Sequence, residues 1–490
     1  MDWIQGFLDV YGSILDFIYI FSVILVIVLI FLERSDPKSL AVWMVVLLLF
    51  PVFGFIIYLF FGQTFYSRRQ FSIKNLDDEK ILRLQSELLH EDNNKLLENK
   101  GIDVANFVTG MANVGRSPYS GNNDVDLYTE GEPFYKDLLN DLRNAKKYIH
   151  AEYYIIRNDK LSNEFMDILI QKAKEGVEVR LMVDAIGNNS GPFKRLKELR
   201  GAGGEYTLFH RTITVLLSPK KNNRNHRKLL VIDGDIGYVS GFNIGDEYLG
   251  KSDKGFWRDT GVRIYGNSVI ALNLRFFMDW GYAAKKYLDA TALNLERYLP
   301  ADLGKKYGDE IVQLVSGGPD SKENPIEMQY LKLIYSAKKT LYIHTPYLVP
   351  SDDIMKALIL SAQSGVDVRV IMLNRPDHAF VFWASIWYSG ELIKKGVKIY
   401  HYNKGFIHSK AIVVDGEFCS VGSANLDQRS MTVNFETNAM IYSKELGDEM
   451  NDAFFKDLEH CTEYTEDMHS KYTRRKSFKI RFARLFSALA

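Results

Sequence analysis

Two short stretches carry residues whose types and spacing can do chemistry: His226-Arg227-Lys228-Leu229-Leu230-Val231-Ile232-Asp233 and His408-Ser409-Lys410-Ala411-Ile412-Val413-Val414-Asp415. Each reads His-x-Lys, four mostly apolar residues, then Asp. Each is followed by a small-small-x-Asn segment, Ser240-Gly241-Phe242-Asn243 and Gly422-Ser423-Ala424-Asn425. Two copies of the same four polar residues at identical offsets imply one active site assembled from two half-sites. Lys228, Lys410, Asn243 and Asn425 offer positive charge and N–H donors to a phosphodiester, whose oxygens gain charge in the transition state. One neutral imidazole can attack phosphorus in line, while the other, protonated, gives its proton to the leaving alkoxide. The expected intermediate is a phosphohistidine. In the second half-reaction the acid becomes the base that activates an alcohol or water. The lysines supply the charge, so neither a metal nor another cofactor is expected, and no His/Asp/Glu cluster has metal-ligand spacing.

These side chains need elements to hold them. The apolar tetrads 229–232 and 411–414 predict buried strands, and strand alternation places each His and its Lys on one face. A histidine working this way needs a partner on its second ring nitrogen. Asp259 in Phe256-Trp257-Arg258-Asp259 and Glu436 in Val433-Asn434-Phe435-Glu436 recur after the asparagines and are the carboxylates expected there. Asp233 and Asp415 are grouped with the catalytic set, although their place at the ends of the tetrads suits orienting the strand and the following turn. His150 and His344 also recur, on predicted strands, where a core position and a substrate contact are both open.

The surrounding pattern repeats. Helices are predicted over 134–145 and 163–174, with strands over 148–156 and 176–184. The second half gives helices over 329–337 and 354–363, with strands over 341–349 and 365–373. Tyr148-Ile149-His150 matches Tyr342-Ile343-His344, and Gly176-Val177-Glu178-Val179-Arg180 matches Gly365-Val366-Asp367-Val368-Arg369. Two fused copies of one α/β domain follow, each a helix-flanked sheet, with boundaries near 121–310 and 311–462.

The 490 residues, 47% apolar, suffice for two cores and extra segments. Lys plus Arg and Asp plus Glu are 61 each, and this zero balance argues against a dedicated duplex nucleic-acid binder. Cys419 and Cys461, the only cysteines, lack metal-like spacing and are expected as free thiols in a reducing compartment. Residues 1–66 predict a transmembrane hairpin, with spans at 14–32 and 40–61 of the length a helix needs to cross a bilayer and a polar turn at 33–39. Pro51 and Gly54 are places for a kink. The bases after the second span, Arg68, Arg69 and Lys74, put the catalytic domains on the cytoplasmic face. Residues 67–120 form a connector, with an amphipathic helix expected over 77–100. Residues 463–490 form a basic tail: from Lys471 onward there are seven bases and no acids, with Phe478, Phe482 and Phe486 four apart. That pattern suits a helix lying on an anionic membrane surface.

The paired His226-Lys228-Asp233 and His408-Lys410-Asp415, with Asn243 and Asn425, resemble the two HKD motifs of the phospholipase D superfamily. The hairpin with Asp36-Pro37 and the apolar run 41–54, Thr345-Pro346-Tyr347 and the closing Arg484-Leu485-Phe486-Ser487 are similar to bacterial cardiolipin synthases. The fold implied is two fused phospholipase D-like α/β domains in pseudo-twofold arrangement, with mixed sheets flanked by helices, behind the hairpin. The implied reaction is phosphatidyl transfer between two phosphatidylglycerol molecules, giving cardiolipin and glycerol. The resemblance also makes His226 the nucleophile and His408 the acid, then base. Rival readings are a membrane-bound phospholipase D hydrolase, a phosphatidylserine synthase of the same superfamily, a nuclease and a non-catalytic membrane scaffold. The intact His/Lys pairs disfavour the scaffold, and the membrane segments disfavour nucleic acid.

Overall fold

The computed structural model describes residues 16–28, 37–50, 53–55, 58, 96–97, 102–115, 117–188, 191–210, 223–253, 255–285, 295–300, 305–321 and 323–485. The chain divides into two compact units, Met1–Leu76 with Thr212–Asn222, and Asp77–Arg211 with Asn223–Ala490.

In the larger unit the first copy supplies β1 (Tyr119–Tyr128), β2 (Tyr148–Tyr153), β3 (Glu178–Asp184), β4 (Glu205–Phe209), β5 (Leu229–Ile232), β6 (Ile236–Ser240), β7 (Phe256–Arg258) and β8 (Gly261–Gly266). The second supplies β9 (Glu310–Gly317), β10 (Thr340–His344), β11 (Leu348–Val349), β12 (Asp367–Leu373), β13 (Lys398–Tyr402), β14 (Gly405–Ile407), β15 (Ala411–Val414), β16 (Phe418–Gly422), β17 (Leu426–Asp427), β18 (Glu436–Tyr442) and β19 (Cys461–Tyr464). Fifteen of them form one mixed sheet, in the order β4-β3-β2-β5-β6-β8-β1-β9-β18-β16-β15-β10-β12-β13-β19. Read outward from the antiparallel β1–β9 junction, the two halves repeat one topology, with β19 added at one edge. This is the duplicated, mixed-sheet α/β architecture expected from the repeat.

The motif strands β5 and β15 are buried at every position, as four-residue apolar runs must be when both sheet faces are covered. The parallel pairs β2–β3 and β10–β12 are connected through the helices Lys160–Lys174 and Asp352–Gln363. Those helices start earlier than hydrophobic periodicity suggests because Asp159 and Ser351 cap them, accepting from Ser162 N at 3.0 Å and Ile354 N at 3.3 Å. Such caps contribute about 1 kcal/mol each. The predicted strand 148–156 stops at Tyr153 because the next backbone turns to other partners, with Ile155 N donating to Asn243 Oδ1 at 3.1 Å. The predicted strand 341–349 breaks into β10 and β11 around Pro346, which has no N–H to give a ladder.

Each half has its own core, one around Phe134, Phe165 and Leu181 and the other around Leu333, Leu358 and Val370. The connector is more than a solvated link. Its helix Ile102–Gly115 buries Phe107, Val108 and Met111 in the second core, and Gln313 Nε2 donates to Val108 O at 3.1 Å. Of the helix expected over 77–100, Leu96 and Leu97 are described, both helical, and the rest lies outside the described residues.

In the smaller unit, residues 16–28 are helical and a second helix covers Pro37–Leu49. Residues 37–39, expected in the turn, already belong to this helix, with Pro37 in the first helical position, where its missing N–H costs nothing; residues 29–36 lie outside the described residues. Val26, Trp43 and Leu47 form a small buried cluster, while Phe17, Ile20, Ile24 and Leu49 face outward. Among the described residues no helix is long and apolar enough to cross a membrane. The expected spans 14–32 and 40–61 are thus not shown as continuous helices, and parts of both lie outside the described residues. At the expected kink the helix gives way to a bend at Phe50. A Cβ on Gly54 would come within 2.7 Å of Val46 O, so this close approach requires glycine.

Candidate active site

His226 and Lys228 precede the strand β5 rather than lie in it, yet both side chains meet the Tyr154 ring, at 4.9 Å and 5.3 Å, and Lys228 Nζ donates to His226 O at 2.5 Å. Lys410 Nζ makes the same bond to His408 O. Each motif is held by a segment of the other copy. His226 N donates to Phe435 O at 2.9 Å, and His408 N donates to Arg258 O at 2.7 Å. β7 and β14 pair in parallel just ahead of the second motif, and Asn225 bridges to Phe435 ahead of the first.

That exchange decides the histidine partners. His226 Nδ1 lies 3.0 Å from both oxygens of Glu436, and His408 Nδ1 lies 2.6 Å from Asp259 Oδ2. Both carboxylates are fully buried. Asp259 and Glu436 therefore stand where a histidine-orienting group is needed, each serving the histidine of the opposite copy. With Nδ1 engaged, Nε2 is the ring nitrogen left to meet phosphorus or exchange a proton.

The small residues before the asparagines make room for this arrangement. A Cβ on Gly241 would lie 2.1 Å from Asp259 Oδ1. At the matching place Ser423 Oγ donates to Glu436 Oε2 at 2.5 Å.

A cavity of about 820 Å³ joins the halves and is lined by His226, His408, Asn243 and Asn425. Lys228 and Lys410 are buried behind that lining. Asn243 Nδ2 donates to Tyr248 OH at 3.2 Å and Asn425 Nδ2 to Asp427 at 3.2 Å. Sequence reasoning missed the aromatic wall of this cavity. The Tyr154 ring lies 4.9 Å from that of His226, Trp257 lies 5.7 Å from His408, and Tyr248 OH lies 3.5 Å from His408 Nδ1. Tyr154 follows a strand repeated in both copies and Trp257 is two residues before Asp259, so position relative to the motifs was the available signal.

Asp233 and Asp415 do not join the site, contrary to their grouping with the catalytic residues. Asp233 accepts from the backbone N–H groups of Lys146, Lys147 and Tyr148 at 2.7–2.9 Å. Asp415 does the same for Lys338, Lys339 and Thr340 at 2.7–2.8 Å. Each sits at positive φ, +56° and +52°, in the turn after its motif strand, and clamps the chain entering the neighbouring strand. A carboxylate is needed there because one side chain must accept three N–H bonds. His150 and His344 are core residues. His150 Nδ1 lies 2.7 Å from Asn273 Oδ1 with its ring stacked on Phe276, and His344 Nε2 lies 3.1 Å from Asp457. Cys419 is a buried free thiol and Cys461 a partly buried one. Among the described residues no His, Cys, Asp and Glu side chains converge as metal ligands would.

The electrostatics suit a dry, anion-seeking centre. Burial lowers both histidines from the ordinary imidazole value. Glu436 opposes this at His226 while Lys228 adds to it; His408, with Lys410 adding to burial, falls to about 4. Burial also brings Lys228 down to about 7 and Lys410 to about 8. Glu436 is held below the usual carboxylate range because His226 and Lys228 outweigh its burial. In the empty site, raising the pH through 7 to 9 strips protons from these two lysines. The expected result is a kcat/KM that falls across that interval while kcat changes little, because a bound anion favours the charged lysines. Separate pH profiles of kcat and kcat/KM measure the difference.

Comparison with known proteins agrees with this geometry. Residues 138–254 and 330–458 match the family model described as cardiolipin synthase, PLD-like domain, and residues 20–63 match that described as phospholipase D-nuclease N-terminal. The cardiolipin synthase of Staphylococcus aureus (strain Mu50 / ATCC 700699) is 40% identical over 476 residues, spanning 96% of this chain and 95% of that protein. This chain belongs to the cardiolipin synthase family of the phospholipase D superfamily. The cardiolipin synthase of Clostridium perfringens (strain SM101 / Type A) is 41% identical over 445 residues, spanning 90% of this chain and 92% of that one. Among solved structures, phosphatidylserine synthase of Haemophilus influenzae Rd KW20 superposes with a TM-score of 0.59 at 16% identity. It covers 78% of this chain and 100% of its own, a likeness of fold.

Proposed function

We propose that the protein joins two phosphatidylglycerol molecules into cardiolipin, releasing glycerol, through a phosphatidyl-histidine intermediate. The observation that carries this reading is the pair of imidazoles on one cavity, each fixed at Nδ1 by a buried carboxylate. In the first half-reaction the neutral Nε2 of His226 bonds to phosphorus. The bond from phosphorus to the headgroup glycerol breaks, and protonated His408 gives that oxygen its proton. In the second, His408 removes a proton from a hydroxyl of another phosphatidylglycerol, whose oxygen attacks phosphorus and frees His226. Lys228, Lys410, Asn243 and Asn425 hold the non-bridging oxygens, where charge accumulates. The negative phosphodiester also supplies the field that lets His408 take up a proton.

An acceptor drawn from lipid requires a membrane, and two features support one. The described helices near the N-terminus turn apolar side chains outward, including Phe17, Ile20 and Ile24, as a hairpin in a bilayer would. The helix Arg474–Leu485 buries Ile480 and Ala483 against its own domain while Phe478, Phe482 and Leu485 stand exposed among its bases. This fits an anionic lipid surface, with the catalytic domains on the cytoplasmic side. With residues 1–66 removed, so that this helix is the proposed membrane contact left, replacing both Phe478 and Phe482 by Ser is expected to weaken binding to phosphatidylglycerol vesicles by roughly tenfold or more. Co-sedimentation at several salt concentrations measures it.

The reaction is tested by incubating purified protein with phosphatidylglycerol alone and separating the lipids. Cardiolipin and glycerol in equal amounts support transfer. Phosphatidic acid as the product would make it a hydrolase, and a requirement for serine and CDP-diacylglycerol would make it a phosphatidylserine synthase.

A further inference from the structure

Behind the two histidine–carboxylate pairs lies a second matched arrangement. On the first side, Arg227 Nε donates to the backbone O of Glu436 at 3.1 Å and to Thr437 Oγ1 at 2.9 Å, and its Nη1 pairs with Asp279 at 2.5 Å. On the second side, Arg258 Nη1 donates to the backbone O of Asp259 at 2.5 Å and to Thr260 Oγ1 at 2.9 Å, and its Nε pairs with Asp457 at 2.8 Å. Both guanidinium groups are buried, and so are both aspartates. In each case an arginine grips the main chain and the next threonine of the histidine-orienting carboxylate. In each case the counter-ion lies on a long helix of the copy that does not hold the carboxylate: Asp279 on Ser268–Ala284 for Glu436, and Asp457 on Lys444–Leu458 for Asp259.

The two arginines are not equivalents in the sequence repeat. Arg227 is the middle residue of the first His-x-Lys, where the second motif has Ser409. Arg258 precedes Asp259, where the other copy has Phe435 before Glu436. Duplication alone would have put both arginines at the same repeat position. One guanidinium per carboxylate, reached from different positions, marks the contact itself as what is retained. Ser409 completes the exchange, its Oγ lying 2.6 Å from Thr260 Oγ1.

We propose that Arg227 and Arg258 are positioning residues for catalysis, each setting the carboxylate that fixes the histidine of the opposite copy. A planar fork that holds a carbonyl and a hydroxyl together defines where the carboxylate lies, and lysine cannot reproduce it. The proposal rests on the two histidines performing the chemistry, and it is independent of whether a lipid or water accepts the phosphatidyl group.

The test is a double-mutant cycle on the full chain in phosphatidylglycerol micelles, scored as phosphatidylglycerol consumed. Arg227→Lys is expected to lower kcat by roughly ten- to a hundredfold with KM within about twofold. In a Glu436→Gln background the same change is expected to cost no more than about twofold, because the group it positions is already lost. Arg258→Lys should likewise be absorbed by Asp259→Asn. Thr437→Val and Thr260→Val, which leave the buried ion pairs intact, are expected to repeat the pattern with smaller losses and serve if a lysine variant does not fold. Equal losses in both backgrounds overturn the proposal, as does a fall confined to KM. Full activity of Glu436→Gln overturns it together with the catalytic reading on which it rests.

Discussion

His226→Ala and His408→Ala are each expected to lower cardiolipin formation by roughly 10⁴-fold or more, since residues acting as one catalytic unit fail together rather than additively. The two rings share a cavity, and in the proposed mechanism they do different work, so neither is expected to substitute for the other. Without His226 no covalent bond to phosphorus forms. Without His408 the leaving glycerol oxygen has no proton donor and the incoming hydroxyl no base. The double variant is expected to be no worse than either single one. Initial rates of cardiolipin formation, with purity and melting temperature matched to the parent, provide the measurement.

Glu436→Gln and Asp259→Asn should come next in size, each slowing turnover by roughly 10³–10⁴-fold, as when a neutral amide replaces the carboxylate behind a catalytic histidine. The amide keeps the volume but can present N–H toward Nδ1, fixing the wrong tautomer. The exchange between copies gives these variants a specific signature. Glu436→Gln, although in the second copy, should behave as damage to His226 and slow appearance of the covalent intermediate. Asp259→Asn, although in the first copy, should behave as damage to His408, the acid of the first half-reaction and the base of the second, and slow conversion of the intermediate to cardiolipin as well as glycerol release. Rapid-quench measurement of glycerol release and cardiolipin formation separates the two steps.

Much of this site could be read in advance because short-range spacing encodes it. His226 and Lys228 meet the same Tyr154 ring just ahead of β5, the tetrads are buried strands, and Asn243 and Asn425 reach the same cavity. The carboxylates could be named from their recurrence after the asparagines. Their crosswise pairing could not, since the partners are 210 and 149 residues apart and meet only when β7 pairs with β14 and Asn225 meets Phe435. A repeated motif invites reading each copy as self-contained, whereas the sheet junction interleaves them. Asp233 and Asp415 misled for a related reason. They keep constant spacing to the histidines because strand length fixes it, yet their work is to hold three N–H groups of a neighbouring segment. Gly241 looked merely small, and only the Asp259 carboxylate packed against it explains why no side chain fits.

The most direct test of two unequal histidines on one centre is to trap the intermediate. Protein quenched in acid-free denaturant during turnover of phosphatidylglycerol is digested and the phosphatidyl group located by mass spectrometry. The expected adduct is on His226 in the parent protein and in His408→Ala, and it is absent from His226→Ala. An adduct on His408 would reverse the two roles, and turnover with no histidine adduct in the parent protein would contradict the exchange mechanism itself.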